Sequence, residues 1–168
     1  MFVLESERLS FRQMFASDLG DLAGLQSDDE TMRFLGGSRS LDQSWETLQR
    51  IRHSYRENQF GLYATTLKAT GRFIGRCGFI AWNIEGRREV ELAYLIARQE
   101  WGNRLATEAA RSLLRYGFTR LNQQRLIALI DPANARSLRV AEKAGLNFER
   151  EVDINCKRVQ LHATNRPV

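Results

Sequence analysis

The stretch that most limits what this chain can fold into runs from Glu89 to Leu121. In its first part, Glu89 to Ile96, the residues Glu89, Glu91, Ala93 and Leu95 fall on one face of a strand and Val90, Leu92, Tyr94 and Ile96 on the other. The period then changes: Leu105, Ala106, Ala109, Ala110, Leu113, Leu114, Gly117, Phe118 and Leu121 form a broad apolar stripe at helical spacing. A strand that becomes a helix across Glu100-Trp101-Gly102-Asn103-Arg104 must lay that stripe back on the sheet. The junction also carries chemistry. The first amides of a helix lack intrahelical acceptors and the dipole adds positive potential, so a turn that points them outward is an anion site, with phosphate its natural guest.

Before this junction, Arg8 to Met14 alternates as a strand, and Ser17 is placed as the cap of a helix carrying Leu19, Leu22, Ala23 and Leu25. Ser27 to Glu30 reads as a capping box for a short turn through Phe34, which Gly36-Gly37 ends. A second box, Ser40 to Gln43, starts a helix reaching about Asn58, with Leu41, Trp45, Leu48, Ile51 and Tyr55 on one face. That spacing assigns Trp45 and Tyr55, with Phe34, to the core first. His53 lies off the stripe, and His162 lies in a terminal strand pattern; both read as surface residues. Phe60 to Lys68 and Arg72 to Trp82 form a hairpin about Ala69-Thr70-Gly71, with Gly75 and Gly78 at positions that host a bulge. After the junction come a strand over Arg125 to Ile130, a helix capped by Asn134 and stopped by Gly145, and two strands, Leu146 to Val152 and Lys157 to Ala163.

Strands alternating with helices, without repeats or linkers, give one α/β (α+β) domain over residues 1–168 with a mixed, mostly antiparallel twisted sheet of about seven strands. The 168 residues suit a single core, and no apolar run nears the roughly 20 residues of a spanning helix. Met1 to Glu5 has neither a basic region nor an apolar core of signal length, so a cytoplasmic, non-membrane protein is expected. Cys77 and Cys156, two and far apart, read as reduced thiols rather than a disulfide or metal pair, and no metal site is expected. The net charge of +5 favours anionic partners. Its basic clusters, Arg50-Ile51-Arg52 and Arg87-Arg88, are too short for a nucleic-acid arm, which leaves a ribosomal target as the route to RNA.

The run Trp101-Gly102-Asn103-Arg104-Leu105-Ala106-Thr107-Glu108-Ala109 resembles the pyrophosphate loop of the GNAT superfamily of N-acetyltransferases, in particular its RimJ/RimL-like branch. Trp101, Gly102, Ala106, Thr107, Glu108 and Ala109 match the branch, whereas Arg104 stands where the family has its central glycine. Glu7 to Arg12, Gly71 to Gly78, Glu91 to Tyr94, and Asp131 to Leu138 with Gly145-Leu146 match in the same order over nearly the whole chain. The resemblance implies the acetyltransferase fold with helices on both faces of the sheet.

It further implies acetyl-CoA as acyl donor and a primary amine as acceptor, a protein N-terminus or a small molecule. The backbone of Trp101, Gly102, Asn103, Arg104, Leu105, Ala106 and Thr107 would hold the pyrophosphate. The strand at Tyr94, Leu95 and Ile96, with Asn134, would meet the pantetheine arm. Arg104 either obstructs the phosphates or binds them. A base is needed because an amine is mostly protonated at neutral pH. Glu91, matching the branch's E-x-G-Y strand, takes that role, with a structural ion pair as its bland alternative and Glu89 as runner-up. The position of the family's leaving-group tyrosine is Ala141, so Ser137 is the implied donor to the departing sulfur, ordinary capping being the alternative for Ser137 and for Asn134. The other reading is a non-catalytic acyl-CoA-binding or RNA/ribosome-binding module that keeps the fold. Relatives implied by the resemblance are monomers or homodimers.

Overall fold

The structure is a computed structural model and describes residues 2–167. Its single sheet has eight strands in the order β1-β2-β3-β4-β5-β6-β8-β7. They are β1 (Phe2–Glu5), β2 (Leu9–Arg12), β3 (Leu62–Leu67), β4 (Phe73–Ile84), β5 (Arg87–Ile96), β6 (Arg125–Ile130), β7 (Asn147–Ile154) and β8 (Lys157–Asn165). The strand beyond the seven expected is β1, which pairs antiparallel with β2. Every neighbouring pair is antiparallel except β5 and β6, whose parallel contact consists of one register pair, Glu91 with Ile127. Beyond that pair the two strands diverge and the sheet opens.

Five α-helices cover the sheet: α1 (Leu19–Gln26), α2 (Asp29–Met32), α3 (Leu41–Glu57), α4 (Leu105–Thr119) and α5 (Ala135–Ala144). The apolar stripe of α4 forms the main core, with Leu105, Ala109, Ala110 and Leu113 packed with Phe79, Leu92 and Leu126. On the other face α1 and α3 bring Leu22, Leu48 and Ile51 against Leu62 and Ala64. Phe79 belongs to the α4 side and Ile80 packs against the α1/α3 side, so Ile80, Trp82 and, four residues before Ile80, Arg76 share the α1/α3 face of β4.

Local signals explain most boundaries. Ser40 and Gln43 form the expected capping box at α3. Asn134 Oδ1 accepts the Ser137 amide at 3.1 Å, and Gly145 stops α5 in the left-handed region at φ 97°. Two caps differ from expectation. Ser17 lies in a 3-10 turn, Ala16–Asp18, where Asp18 takes the Phe15 amide and the Arg12 guanidinium. For α2 the cap is Asp28, not Ser27: Asp28 Oδ1 accepts from the Thr31 amide at 2.7 Å. At α2 the carboxylate is the stronger acceptor for the orphan amide and displaces the serine, whereas α1 begins at Asp18 without a side-chain cap bond.

Burial corrects three further expectations. Leu41 and Trp45 are exposed (59% and 41%), because the buried stripe of α3 runs through Ser44, Thr47, Leu48 and Ile51 and leaves them to its side. His53 is exposed as expected, but His162 is buried against Phe148 in β7, its Nε2 bonded to Gln160 Oε1 at 3.1 Å. Glu108, noted in the sequence only as a loop match, ties α4 to the start of the chain. Its carboxylate accepts from Ser6 Oγ (2.6 Å), the Arg8 amide (2.7 Å) and Arg8 Nε (2.7 Å).

Candidate active site

Two cavities meet where β5 and β6 part. The first, of about 300 Å³, lies between the N-terminus of α4 and α5. Its walls include Tyr94, Leu95 and Ile96 from β5, Trp101, Gly102 and Arg104 from the loop, and Leu105, Ala106 and Thr107 from the first turn of α4. Asn134 and Ser137 close it from α5. Of the residues named from the sequence for the donor, Asn103 alone does not border this cavity; it is exposed on the outer side of the turn.

The first backbone bond of α4 runs from the Glu108 amide to the Arg104 carbonyl at 3.1 Å. The amides of Leu105, Ala106 and Thr107 therefore have no intrahelical acceptor, and they line the cavity at the positive end of the dipole. The turn that aims them is left-handed twice, at Gly102 (φ 84°) and at Arg104 (φ 61°, ψ 12°). Arg104 thus keeps the backbone that a glycine would adopt freely, at a cost of about 1 kcal/mol or more for a side chain with a Cβ. Arg104→Gly is expected to raise the unfolding free energy by about 1 kcal/mol in urea titration while weakening the affinity for a phosphorylated ligand, since it removes one cation from the cavity wall.

Arginine and lysine continue this wall on α5. Arg136, Arg139 and Lys143 recur at spacings of three and four and border the cavity, and the Arg136 guanidinium stacks over the Trp101 ring at 4.3 Å. The sequence analysis missed this collar, although its helical spacing was there to be read. Trp101 Nε1 donates to the Ile96 carbonyl at 2.8 Å and Tyr94 Oη to the Ser137 carbonyl at 3.0 Å, fixing β5, the loop and α5 relative to one another.

The second cavity, of about 390 Å³, continues from the first; the two share Phe34, Tyr94, Leu95 and Ser137. It is bounded by Ile80, Trp82 and Glu91 on the sheet, by Ala128 to Ile130 of β6, and by Asn155 and Lys157 at the β7–β8 turn. Phe34, assigned first to the core, is half-exposed and lines both spaces. Glu91 is 9% exposed. Its Oε2 accepts from Trp82 Nε1 at 2.6 Å. Burial pushes the Glu91 carboxyl up to about 7; the Trp82 bond, the nearby Leu129 amide and the more distant Arg76 charge oppose that rise without cancelling it. No arginine or lysine forms an ion pair with Glu91 among the described residues. Glu89 differs. It is held by Arg125 (3.2 Å) and Arg87 (3.3 Å) and borders neither cavity.

Among the described residues no cluster of three or more His, Cys, Asp or Glu side chains is arranged for a metal ion, and no helix is long and apolar enough to cross a membrane. Cys77 is buried and Cys156 exposed, both as free thiols.

The family model described as an acetyltransferase (GNAT) domain matches residues 8–147. YkkB of Bacillus subtilis (strain 168), an uncharacterized protein, is 35% identical over 150 residues, covering 89% of this chain and 87% of its own. The N-acetyltransferase p20 of Bacillus licheniformis, also uncharacterized, is 33% identical over 153 residues, covering 90% and 84%. In three dimensions the acetyltransferase from Agrobacterium tumefaciens (strain C58) superposes with a TM-score of 0.84 at 23% identity over 96% of this chain and 93% of that one, a likeness of fold. With a family match spanning β5, the loop and both flanking helices, this chain belongs to the GNAT acetyltransferase family and is an N-acetyltransferase.

Proposed function

We propose that this enzyme takes the acetyl group of acetyl-CoA and passes it directly to a primary amine, of a protein N-terminus or of a small molecule, in the manner of the RimJ/RimL-like branch. The observation that carries the reading is the continuity of the two cavities. One end offers unpaired helix amides and a cationic collar suited to phosphates, and the other offers a carboxylate with a pKa near neutrality. The amides of Leu105 to Thr107, with Arg104, Arg136 and Arg139, hold the donor's phosphates. Tyr94, Leu95 and Asn134 flank its arm.

The acceptor amine reaches Glu91 from the second cavity. Glu91 takes a proton from the ammonium, directly or through one water, and the free amine attacks the thioester carbonyl. A carbon–nitrogen bond forms, the carbon–sulfur bond breaks, and coenzyme A leaves as a thiolate that is protonated on departure. Ser137, which borders both cavities, supplies the hydrogen bond to that sulfur. Ala141, fully buried in the core, has no part in the step. Titration calorimetry with acetyl-CoA, beside its desulfo and dephospho analogues at fixed ionic strength, tests the donor half of the reading. Micromolar binding that depends on the phosphates is expected; no binding at millimolar acetyl-CoA overturns it.

A further inference from the structure

Arg76 is the least explained charge in the molecule. It sits near the start of β4, paired across the ladder with Leu95 and, on the other side, with Ala64, and it is only 9% exposed. Its Nε is sealed from solvent and has no hydrogen-bond partner, and no carboxylate lies within ion-pair distance of the guanidinium among the described residues. A guanidinium so placed carries a desolvation cost of several kcal/mol that only an anion and its hydrogen bonds offset. Burial and the neighbouring Arg39 charge lower its pKa to about 10, which leaves it a cation at neutral pH.

The anion's place is open. Arg76 borders the second cavity and not the first, so the donor's phosphates, held at the α4 and α5 end, do not reach it. Glu91 lines the same cavity on the same face of the sheet, four register pairs further along, because Ile80 of β4 pairs with Glu91 as Arg76 pairs with Leu95. Lys157 adds a second positive group at the rim. The space thus has a proton acceptor for an amine at one point and an unneutralised cation at another.

We infer that the acceptor is an amine that also bears a carboxylate, with its carboxylate paired to Arg76 and its amine directed to Glu91. The inference rests on the transfer reading above and narrows its acceptor. Guanidinium and carboxylate meet through two parallel hydrogen bonds, which uses the fork geometry that lysine lacks. A polyamine, cationic along its length, meets Arg76 and Lys157 with like charge and is selected against.

The test separates binding from turnover. Protein saturated with desulfo-CoA is titrated by calorimetry with a panel of free amino acids and with their C-terminal amides, for wild type, Arg76→Met and Arg76→Lys. The free acids are expected to bind at least tenfold more tightly than the amides, a ratio that falls to about one in Arg76→Met and is partly kept in Arg76→Lys. Desulfo-CoA affinity is expected to stay unchanged in both variants, and the melting temperature of Arg76→Met to equal or exceed that of wild type, because an unpaired buried charge has been removed. A structural role for Arg76 predicts the reverse: lower melting temperature and an unchanged acid-to-amide ratio. Equal binding of acids and amides by the wild type, or binding of neither, overturns the inference. So does an Arg76-dependent preference for succinyl-CoA over acetyl-CoA, which places the anion on the donor. Failure to bind desulfo-CoA at all overturns the transfer reading instead.

Discussion

Glu91→Gln is expected to lower kcat by about 10²–10⁴-fold with little change in the dissociation constant of acetyl-CoA. The side chain borders the second cavity and not the one assigned to the donor, so the two parameters should separate cleanly. Wild-type kcat/KM should rise with pH on a limb centred near 7, where Glu91 ionises, and that limb should be absent from the residual activity of the variant. Stability carries a second signature. The native protein keeps the Glu91 proton to about pH 7, whereas the unfolded chain releases it near 4.5, so the native state binds more protons between those values. Stability contributed by this group is therefore full below 4.5 and is lost as pH rises through 7. Relative to Glu91→Gln, the wild type should lose about 3 kcal/mol of unfolding free energy across that window. Urea unfolding of both proteins at pH 4.5 and pH 8 measures the difference. A constant gap between them would show Glu91 to be ionised throughout, and full turnover in the variant would remove it from the reaction.

Gly75→Ala and Gly78→Ala are each expected to cost about 3 kcal/mol or more, at the upper end of overpacking effects because the obstruction is backbone on both occasions. A Cβ at Gly78 would lie 2.2 Å from the Gly61 carbonyl oxygen, and one at Gly75 would lie 2.2 Å from the Leu95 carbonyl oxygen. No side-chain rotation relieves either contact, so a strand must move. The two strands differ in what they do. Movement of the chain at Gly61, just before β3, disturbs packing against α3, whereas movement of β5 at Leu95 shifts a wall of both cavities. Only Gly75→Ala should therefore weaken acetyl-CoA binding in protein that remains folded, by tenfold or more. Denaturant midpoints and calorimetry at low temperature read the two effects separately, and an equal loss of affinity in both variants would contradict the assignment of Leu95 to the donor's wall.

The elements of this fold were legible where one residue decides the local geometry. The alternation in β5 put Glu91 beside apolar neighbours, and the structure buries it there. The glycine pair in β4 announced close approach and a bulge, and the ladder with β3 does shift register at Thr65, opposite Gly75. The stripe of α4 was complete, since a long helix on a sheet hides the whole of its apolar face. Helical spacing served less well for α3. It weighs apolar residues only, and the face that packs includes Ser44 and Thr47, which turns Leu41 and Trp45 outward. The same limit hid His162, whose burial depends on the partner strand β7. Arg104 was ambiguous because residue type alone favours glycine at positive φ, while the surrounding turn imposes the left-handed conformation on arginine. Arg76 was illegible for another reason. Alternation puts it on the face of Ile80 and Trp82, but a period-2 pattern does not say where that face opens into a cavity.

The separation of β5 from β6 after Glu91 and Ile127 has a thermodynamic meaning beyond the room it makes. A sheet that stops pairing in its own centre has given up ladder bonds whose partners must come from elsewhere, and the donor's amide-bearing arm is a complement of suitable shape. Occupancy and folding are then linked equilibria: any ligand that bridges the opening stabilises the native state by mass action, by about 2.7 kcal/mol at a concentration one hundred times its Kd. On the proposed reading, the enzyme is sturdier when its acyl donor is plentiful.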